Sequence, residues 1–315
     1  MIAMESTRDP IVSVLLPVFN GGCYLAEAVE SILNQTFRNF EMLIIDDGST
    51  DQTPGILRSF AARDPRIRVV TKPNEGYTKA LLAGLSLAKG KYIARMDADD
   101  ISHPDRFAAQ VAFLDENPAC AVVGSAIRII DPEGDPVSHR RYPLAHSEID
   151  FAHVYKGECS LAHPSTMIRR SSLDEAGGYR PEFEPAEDFE LWTRLGERGE
   201  LANLAAELLS YRLHPKSTST QRGRDQVDRV NRAIEATWRR RNLGADGMPR
   251  VPFAPSADEI AAVRGFARMA WNSGFFTTSR KHAWRQLKAQ PFRIASWKCF
   301  VRSASGSLGS SLAPR

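Results

Sequence analysis

Tyr92-Ile93-Ala94-Arg95-Met96 runs straight into Asp97-Ala98-Asp99-Asp100, an apolar strand-like segment that ends in carboxylates. The same join occurs earlier, where Phe40 to Ile45 leads into Asp46-Asp47-Gly48-Ser49. Working outward, Ile11 to Leu16 is a short aliphatic run closed by Pro17, and Arg66 to Thr71 is another strand candidate. Between these runs lie helical patterns. Leu25, Ala28, Val29, Ile32 and Leu33 recur at helical spacing, Ile56, Leu57 and Phe60 mark a second helix, and Ala80 to Ala88 a third that stops before Gly90. Pro104 to Asn117 reads as a helix and Ala121 to Ile130 as a fifth strand. Strand and helix alternate from residue 11 to about 130, which implies right-handed crossovers and a largely parallel sheet. Ligands of such sheets bind beyond the carboxyl ends of the strands, where both acidic clusters fall.

After residue 131 the alternation stops. His163 to Arg169 and Leu208 to Leu213 read as strands, and Glu187 to Arg198 as a helix stopped at Gly199. Helical patterns follow over Val227 to Arg241, Ala257 to Trp271 and two basic segments on either side of Pro291. Ser303 onward is rich in Ser and Gly and reads as a disordered tail. The expected organisation is a catalytic domain over 1–220, a basic helical region over 221–303 and a tail over 304–315.

Hydrophobic residues make up 43% and charged residues 25% of the 315, enough apolar material for a large core. The four cysteines are scattered, which argues against a disulfide framework or a zinc knuckle and suits a reducing compartment. The first ten residues carry no apolar signal core, and no run approaches the length of a membrane span. A cytoplasmic location is expected, with attachment to the inner face of a membrane as an option.

Two carboxylates flanking one alanine, as in Asp97 and Asp99, can hold a hard divalent cation that bridges phosphate oxygens. Alone, an Asp-x-Asp is also an ordinary solvated turn, and Asp46-Asp47-Gly48-Ser49 is an ordinary turn composition. Asp188, at the start of a helix, is either a cap or a general base.

The ordered set resembles glycosyltransferase family 2. Its parts are Val12 to Asn20, Ser31 to Phe37, Ile45 to Asp51, Asn74-Glu75-Gly76, Asp97 to Asp100 and Glu187-Asp188, across about residues 11–220. The resemblance implies an α/β fold of the GT-A (nucleotide-diphospho-sugar transferase) type: a Rossmann-like, mostly parallel sheet flanked by helices, here with a C-terminal helical extension. It implies a metal-dependent, inverting transfer of one sugar from a nucleotide-diphospho-sugar to an acceptor hydroxyl in cell-surface glycan synthesis.

In that reading Pro17, Phe19 and Asn20 line the nucleotide pocket, Asp47 bonds the base with Asp46 as neighbour, and Asn74, Gly76 and Lys79 also meet the nucleotide. Asp99 is the main ligand of a Mn²⁺ or Mg²⁺ ion, and Asp97 assists through the ribose or the metal. Asp188 is the base. His214 is a candidate third metal ligand, Arg212 or Lys216 a candidate diphosphate contact, and His163-Pro164-Ser165-Thr166 a segment near the acceptor. The donor expected by family frequency is a UDP-sugar, and the acceptor a glycan or lipid-linked hydroxyl. Processive relatives carry membrane spans and a Gln-x-x-Arg-Trp motif. Here Gln221-Arg222-Gly223-Arg224 is followed by Asp225, which favours one sugar per encounter.

Three rivals differ at the residues. A sugar-1-phosphate nucleotidyltransferase wants a Gly-rich basic loop after the first strand, where Pro17-Val18-Phe19-Asn20 stands instead. A dinucleotide oxidoreductase wants Gly-x-Gly-x-x-Gly there. An inactive sugar-nucleotide-binding relative would not need Asp97, Asp99 and Asp188 together.

Net charge is +3, yet from Arg222 onward there are 18 Lys+Arg against six Asp+Glu, and no acid follows Glu259. Four of the five tryptophans lie in this part. Such segments suit an anionic membrane surface, or else pack as a helical lid with solvated charges. No nucleic-acid motif accompanies the charge.

Overall fold

The structure is a computed structural model that describes residues 9–217, 222–253, 259–289 and 294–309. Four parallel strands open the sheet: β1 (Val12–Val18), β2 (Phe40–Asp46), β3 (Ile67–Thr71) and β4 (Tyr92–Arg95), with β3, β2, β1 and β4 side by side. Between them run α1 (Leu25–Leu33), α2 (Thr53–Arg63) and α3 (Tyr77–Leu87). After β5 (Ile101–Ser102) and α4 (Arg106–Glu116) comes the long β6 (Cys120–Ile130), followed by β7 (Pro136–Arg140), α5 (His146–Phe151), β8 (Met167–Arg169), α6 (Arg170–Glu175), α7 (Glu187–Leu195) and β9 (Glu200–Arg212). β8 lies antiparallel between β4 and β6, and β9 then runs parallel to β6. The sheet is mixed α/β and mostly parallel, with helices on both faces.

The apolar periodicity becomes burial. Leu25, Ala28, Val29, Ile32 and Leu33 of α1 pack on Val12, Val14 and Leu16 of β1, while Leu15 and Leu43 face a second core around Trp192 and Leu191. Strand residues alternate between two covered faces, as expected of a parallel sheet with helices on each side.

Three sequence expectations change. Pro17 does not end β1, which continues to Val18 with Pro17 paired to Ile45. His163–Ser165 is a 3-10 turn, and only Met167–Arg169 forms strand. Pro164 has no N–H to give a ladder there. β9 is 13 residues long, beginning eight residues before the Leu208 read from the sequence.

Beyond β9, α8 (Gly223–Arg240) is followed by α9 (Glu259–Asn272), α10 (Phe276–Ala289) and α11 (Ile294–Gly309). Residues 304–309, read as tail, thus belong to a helix, and 310–315 lie outside the described residues. Ala233, Ile234 and Trp238 of α8 pack on Val154, Phe183 and Phe189. Trp238 Nε1 donates to Val154 O at 2.8 Å, and Arg241 forms a two-pronged pair with Asp150. Phe266 and Ala270 of α9 pack on Val137 of β7.

Candidate active site

Strand register places the acidic clusters. Val18 sits opposite Asp46, and Leu15 opposite Arg95, so β4 stops short and residues 96–100 run on past β1. β5 then pairs with β9 at Ile101–Ser210, which sets the aspartate loop against Arg212 and His214. The β1 loop also closes on it: a Cβ at Gly21 would come within 3.4 Å of Ala98 Cβ.

Carboxylate oxygens of Asp97, Asp99 and Asp100 all lie within 4.8 Å of one another. His214 Nε2 is 2.8 Å from Asp99 Oδ2, and its ring contacts Tyr24 at 5.1 Å. Burial, together with the neighbouring Asp99 charge and against the attraction of Arg95, raises Asp97 to about 6. Asp100 is raised well above the carboxylate range by burial and by Asp99 and Asp97. Its Oδ1 accepts the Arg212 N–H at 2.9 Å, and its buried Oδ2 has no partner. Crowded, desolvated carboxylates with an unmatched oxygen and an adjacent imidazole are a donor set that suits a hard divalent cation.

Asp97 and Asp188 line one cavity of about 450 Å³ with Arg95, Glu187, His163 and Tyr142. Asp188 opens α7, and its Oδ1 accepts the Phe189 N–H at 2.7 Å. Burial raises its pKa, while that N–H and the Arg95 charge favour the anion. Glu187 beside it is pushed to about 8 by burial and then by the Asp188 charge, with Oε2 buried and unpartnered. Burial raises both carboxyls, and each disfavours a second negative charge on the pair. His163 is held neutral by burial and bonds Tyr179 Oη at 2.8 Å.

A glutamate whose folded pKa lies above its ordinary 4.5 binds a proton on folding. The folded state is then favoured most below pH 4.5 and loses that advantage as pH rises to about 8. Thermal unfolding from pH 5 to 8.5 is therefore expected to show wild type losing stability relative to Glu187→Gln as pH rises. Parallel pH profiles would contradict the assignment.

The sites read from sequence divide. Pro17 is buried in β1, Phe19 stands 52% exposed at its end, and Asn20 takes φ 51° while its Oδ1 accepts the N–H groups of Thr50 and Asp51. Asp46 Oδ1 accepts the Ser49 N–H, and its buried Oδ2 is unpartnered. Both oxygens of Asp47 are engaged, by Lys72 Nζ at 2.6 Å and by the N–H groups of Glu75 and Gly76. Gly76 adopts φ 101° at the start of α3, and Asn74 is exposed on the same loop.

Lys79 is half-exposed, with its ammonium 3.7 Å from Glu75, and lies outside the cavity that Asp97 and Asp188 line. One assignment needs correction. Arg212 is not poised for a diphosphate, because its side chain is 2% exposed. Its guanidinium bonds Asp99 O, Asp131 O, Pro132 O and the Glu27 carboxylate, and lies over the Tyr24 ring. It ties the aspartate loop to the 131 turn. Lys216 is an exposed loop residue.

Sequence reasoning gave no place to Arg95 and Lys72, and left Asp100 and Glu187 in its motifs without a role. Arg95 pairs with Asp97 from the end of β4, its guanidinium over the Tyr77 ring, with Nε and Nη1 buried and unpartnered. The available signal was a lone arginine inside an apolar strand two residues before Asp97. Arg106 Nη2 holds that strand end from behind through Arg95 O and Thr166 O.

Residues 13–177 match the family described as Glycosyl transferase family 2. An uncharacterized glycosyltransferase of Haemophilus influenzae is 34% identical over 228 residues, 69% of this chain and 70% of that one. The hyaluronan synthase of Pasteurella multocida is 29% identical over 215 residues, 68% of this chain but only 22% of the synthase. Among solved structures, S. aureus TarS 1-349 in complex with UDP-GlcNAc superposes with a TM-score of 0.59 at 18% identity, over 93% of this chain and 79% of that one. The mannosyltransferase PcManGT from Pyrobaculum calidifontis, in complex with GDP-Man and Mn²⁺, gives 0.55 at 16% identity, over 98% and 77%.

Proposed function

Because this chain belongs to glycosyltransferase family 2, we propose that it moves one sugar from a nucleotide-diphospho-sugar to an acceptor hydroxyl, with inversion at the anomeric carbon. The observation that carries this reading is that Asp97, from the aspartate loop, and Asp188, from α7, line one cavity. The cavity thus has a charge-binding end and a proton-accepting end.

Asp97, Asp99 and His214 would hold a Mn²⁺ or Mg²⁺ ion, with the unmatched Asp100 Oδ2 behind them. Bound there, the cation supplies Lewis-acid neutralisation of the departing diphosphate. Asp188 accepts the acceptor-hydroxyl proton while that oxygen attacks the anomeric carbon in line with the leaving group, so one displacement inverts configuration. Burial and the Asp188 charge hold Glu187 toward its protonated form, which keeps a second anion away from this step.

Pro17, Phe19, Asn20, Asn74 and Gly76 surround the nucleotide. Asp47, with Lys72 on one oxygen, shapes the base pocket, and Asp46 is its buried neighbour. The default donor is a UDP-sugar, in keeping with the ligand of the TarS complex, and the GDP-Man complex keeps a GDP-sugar in view. A panel of UDP-, GDP- and dTDP-sugars assayed for Mn²⁺-dependent release of nucleoside diphosphate tests the reading. Release from none of them would overturn it.

The acceptor is a glycan or lipid-linked hydroxyl of cell-surface glycan synthesis, which brings the enzyme to an anionic membrane face. Trp284, Trp297 and Val301 on α10 and α11 are 47%, 52% and 61% exposed, and Lys288 lies over the Trp284 ring. Aromatic side chains among basic ones suit a lipid headgroup layer. No described helix is long and apolar enough to cross a membrane. Trp284→Ser with Trp297→Ser is expected to abolish co-sedimentation with anionic vesicles at low salt while leaving donor turnover intact. Unchanged pelleting would return these helices to packing alone.

A further inference from the structure

We infer that Lys281 and His282 of α10 are positioning residues for the aspartate loop, acting through Asp131 and Arg212. Their importance to the reaction rests on the metal reading above.

Asp131 follows β6 and is fully buried. Its Oδ1 accepts the N–H groups of Glu133 and Asp135, at 3.0 and 2.9 Å, and so shapes the turn 131–135. Its Oδ2 is held by His282 Nε2 at 2.7 Å and by the Lys281 ammonium. Lys281 also reaches Asp135 and Glu133. Asp131, Glu133 and His282 have the spacing of a metal site, but the ammonium already supplies the cation to these carboxylates. The cluster is therefore a latch between α10 and the turn.

The turn passes the constraint on. The carbonyls of Asp131 and Pro132 accept Arg212 Nη1 at 3.4 and 3.0 Å. Arg212 Nε donates to Asp99 O at 2.8 Å, and the Arg212 backbone N–H to Asp100 Oδ1 at 2.9 Å. Each link is buried or part-buried, where an unpaired charge or donor is costly and the arrangement is correspondingly definite. Removing the α10 partners strands the Asp131 carboxylate. The turn must then open to water, Arg212 loses two acceptors, and the loop bearing Asp97, Asp99 and Asp100 loosens. A C-terminal helix thereby sets the geometry of a loop formed more than 170 residues earlier in the chain.

The test uses the full chain and two readouts. Amide exchange by mass spectrometry, without metal, follows the segments 96–102 and 209–213. Mn²⁺ binding in the presence of UDP is followed by electron paramagnetic resonance. His282→Leu is expected to speed exchange in both segments about tenfold while β1 and β2 stay protected. Mn²⁺ affinity is expected to fall by about 10–100-fold, the usual effect of losing an outer-shell partner. His282→Gln, which keeps an N–H donor, is expected to recover most of both. Arg285→Ala, which breaks only an exposed pair with Glu133, is expected to change neither. Should His282→Leu fail to fold, Lys281→Met, at a part-exposed position, gives the same comparison. Unchanged exchange in the two segments, or equal acceleration throughout the sheet, overturns the inference. If the wild type binds no Mn²⁺ while the exchange pattern appears as described, the metal assignment fails and the positioning network stands.

Discussion

Asp188→Asn is expected to bind donor as the wild type does while turnover falls by about 10²–10⁴, the usual worth of a positioned base. The amide keeps the Oδ1 that accepts the Phe189 N–H, so the first turn of α7 is preserved and only proton acceptance is lost. A second consequence separates this variant from a merely damaged protein. Glu187 sits high in part because Asp188 is charged, so removing that charge lowers the Glu187 pKa and leaves an anion one residue away. Residual activity of Asp188→Asn should therefore rise with pH as Glu187 ionises, and Glu187→Gln in the same background should remove that rise. Donor titration and initial rates across pH 5–9 read both effects. Wild-type turnover, or loss of donor binding without loss of turnover per bound donor, would make Asp188 a helix cap and nothing more.

Asp99→Ala is expected to lower turnover by at least about 10³, the several kcal/mol that a cation contributes to a departing diphosphate. Asp99 touches His214 through Oδ2 and Arg212 through its carbonyl. The substitution removes only the first contact, so the loop tie through the backbone survives. Donor affinity in the presence of Mn²⁺ should fall to the value the wild type shows in EDTA, and addition of EDTA to the variant should change nothing further. Full activity of the variant in excess EDTA would remove the cation from the account.

The alternation of strand and helix to residue 130 was legible because each apolar run had one period and a turn at each end. The placement of the acidic clusters followed from topology alone. Pro17 misled because proline usually closes a strand. Here it shares the side of Leu15, facing β4, whose pairing stops at Arg95, so its missing N–H deprives no partner. The first half of β9 is rich in Ala, Glu and Asn, poor strand formers that pairing with β6 overrides.

In the site, Asp97, Asp99, His214 and Asp188 were named from the sequence, and the fold brings Asp99 to His214 and Asp97 and Asp188 to one cavity. Contacts made because a distant segment folds onto a residue were not legible. Arg212 looked like a phosphate contact because a basic residue follows a strand end, and only the fold brings Glu27, Asp99 and Pro132 around it. The basic C-terminal region likewise admitted two readings from composition. Lys281, His282 and Arg285 meet the acidic turn 131–135, while Trp284 and Trp297 face solvent, so one helix pair docks and also presents a surface. A truncation near Pro255 would remove both, which is why single substitutions discriminate better.

The central claim is that one cavity joins a cation-dependent donor end to an Asp188 base, and release of nucleoside diphosphate from a nucleotide-sugar panel tests it most directly. The expected result is release from at least one donor with Mn²⁺ or Mg²⁺, abolished by EDTA and by Asp99→Ala, and lowered in Asp188→Asn with donor affinity unchanged. Release that persists in EDTA, or that survives both substitutions, would contradict it.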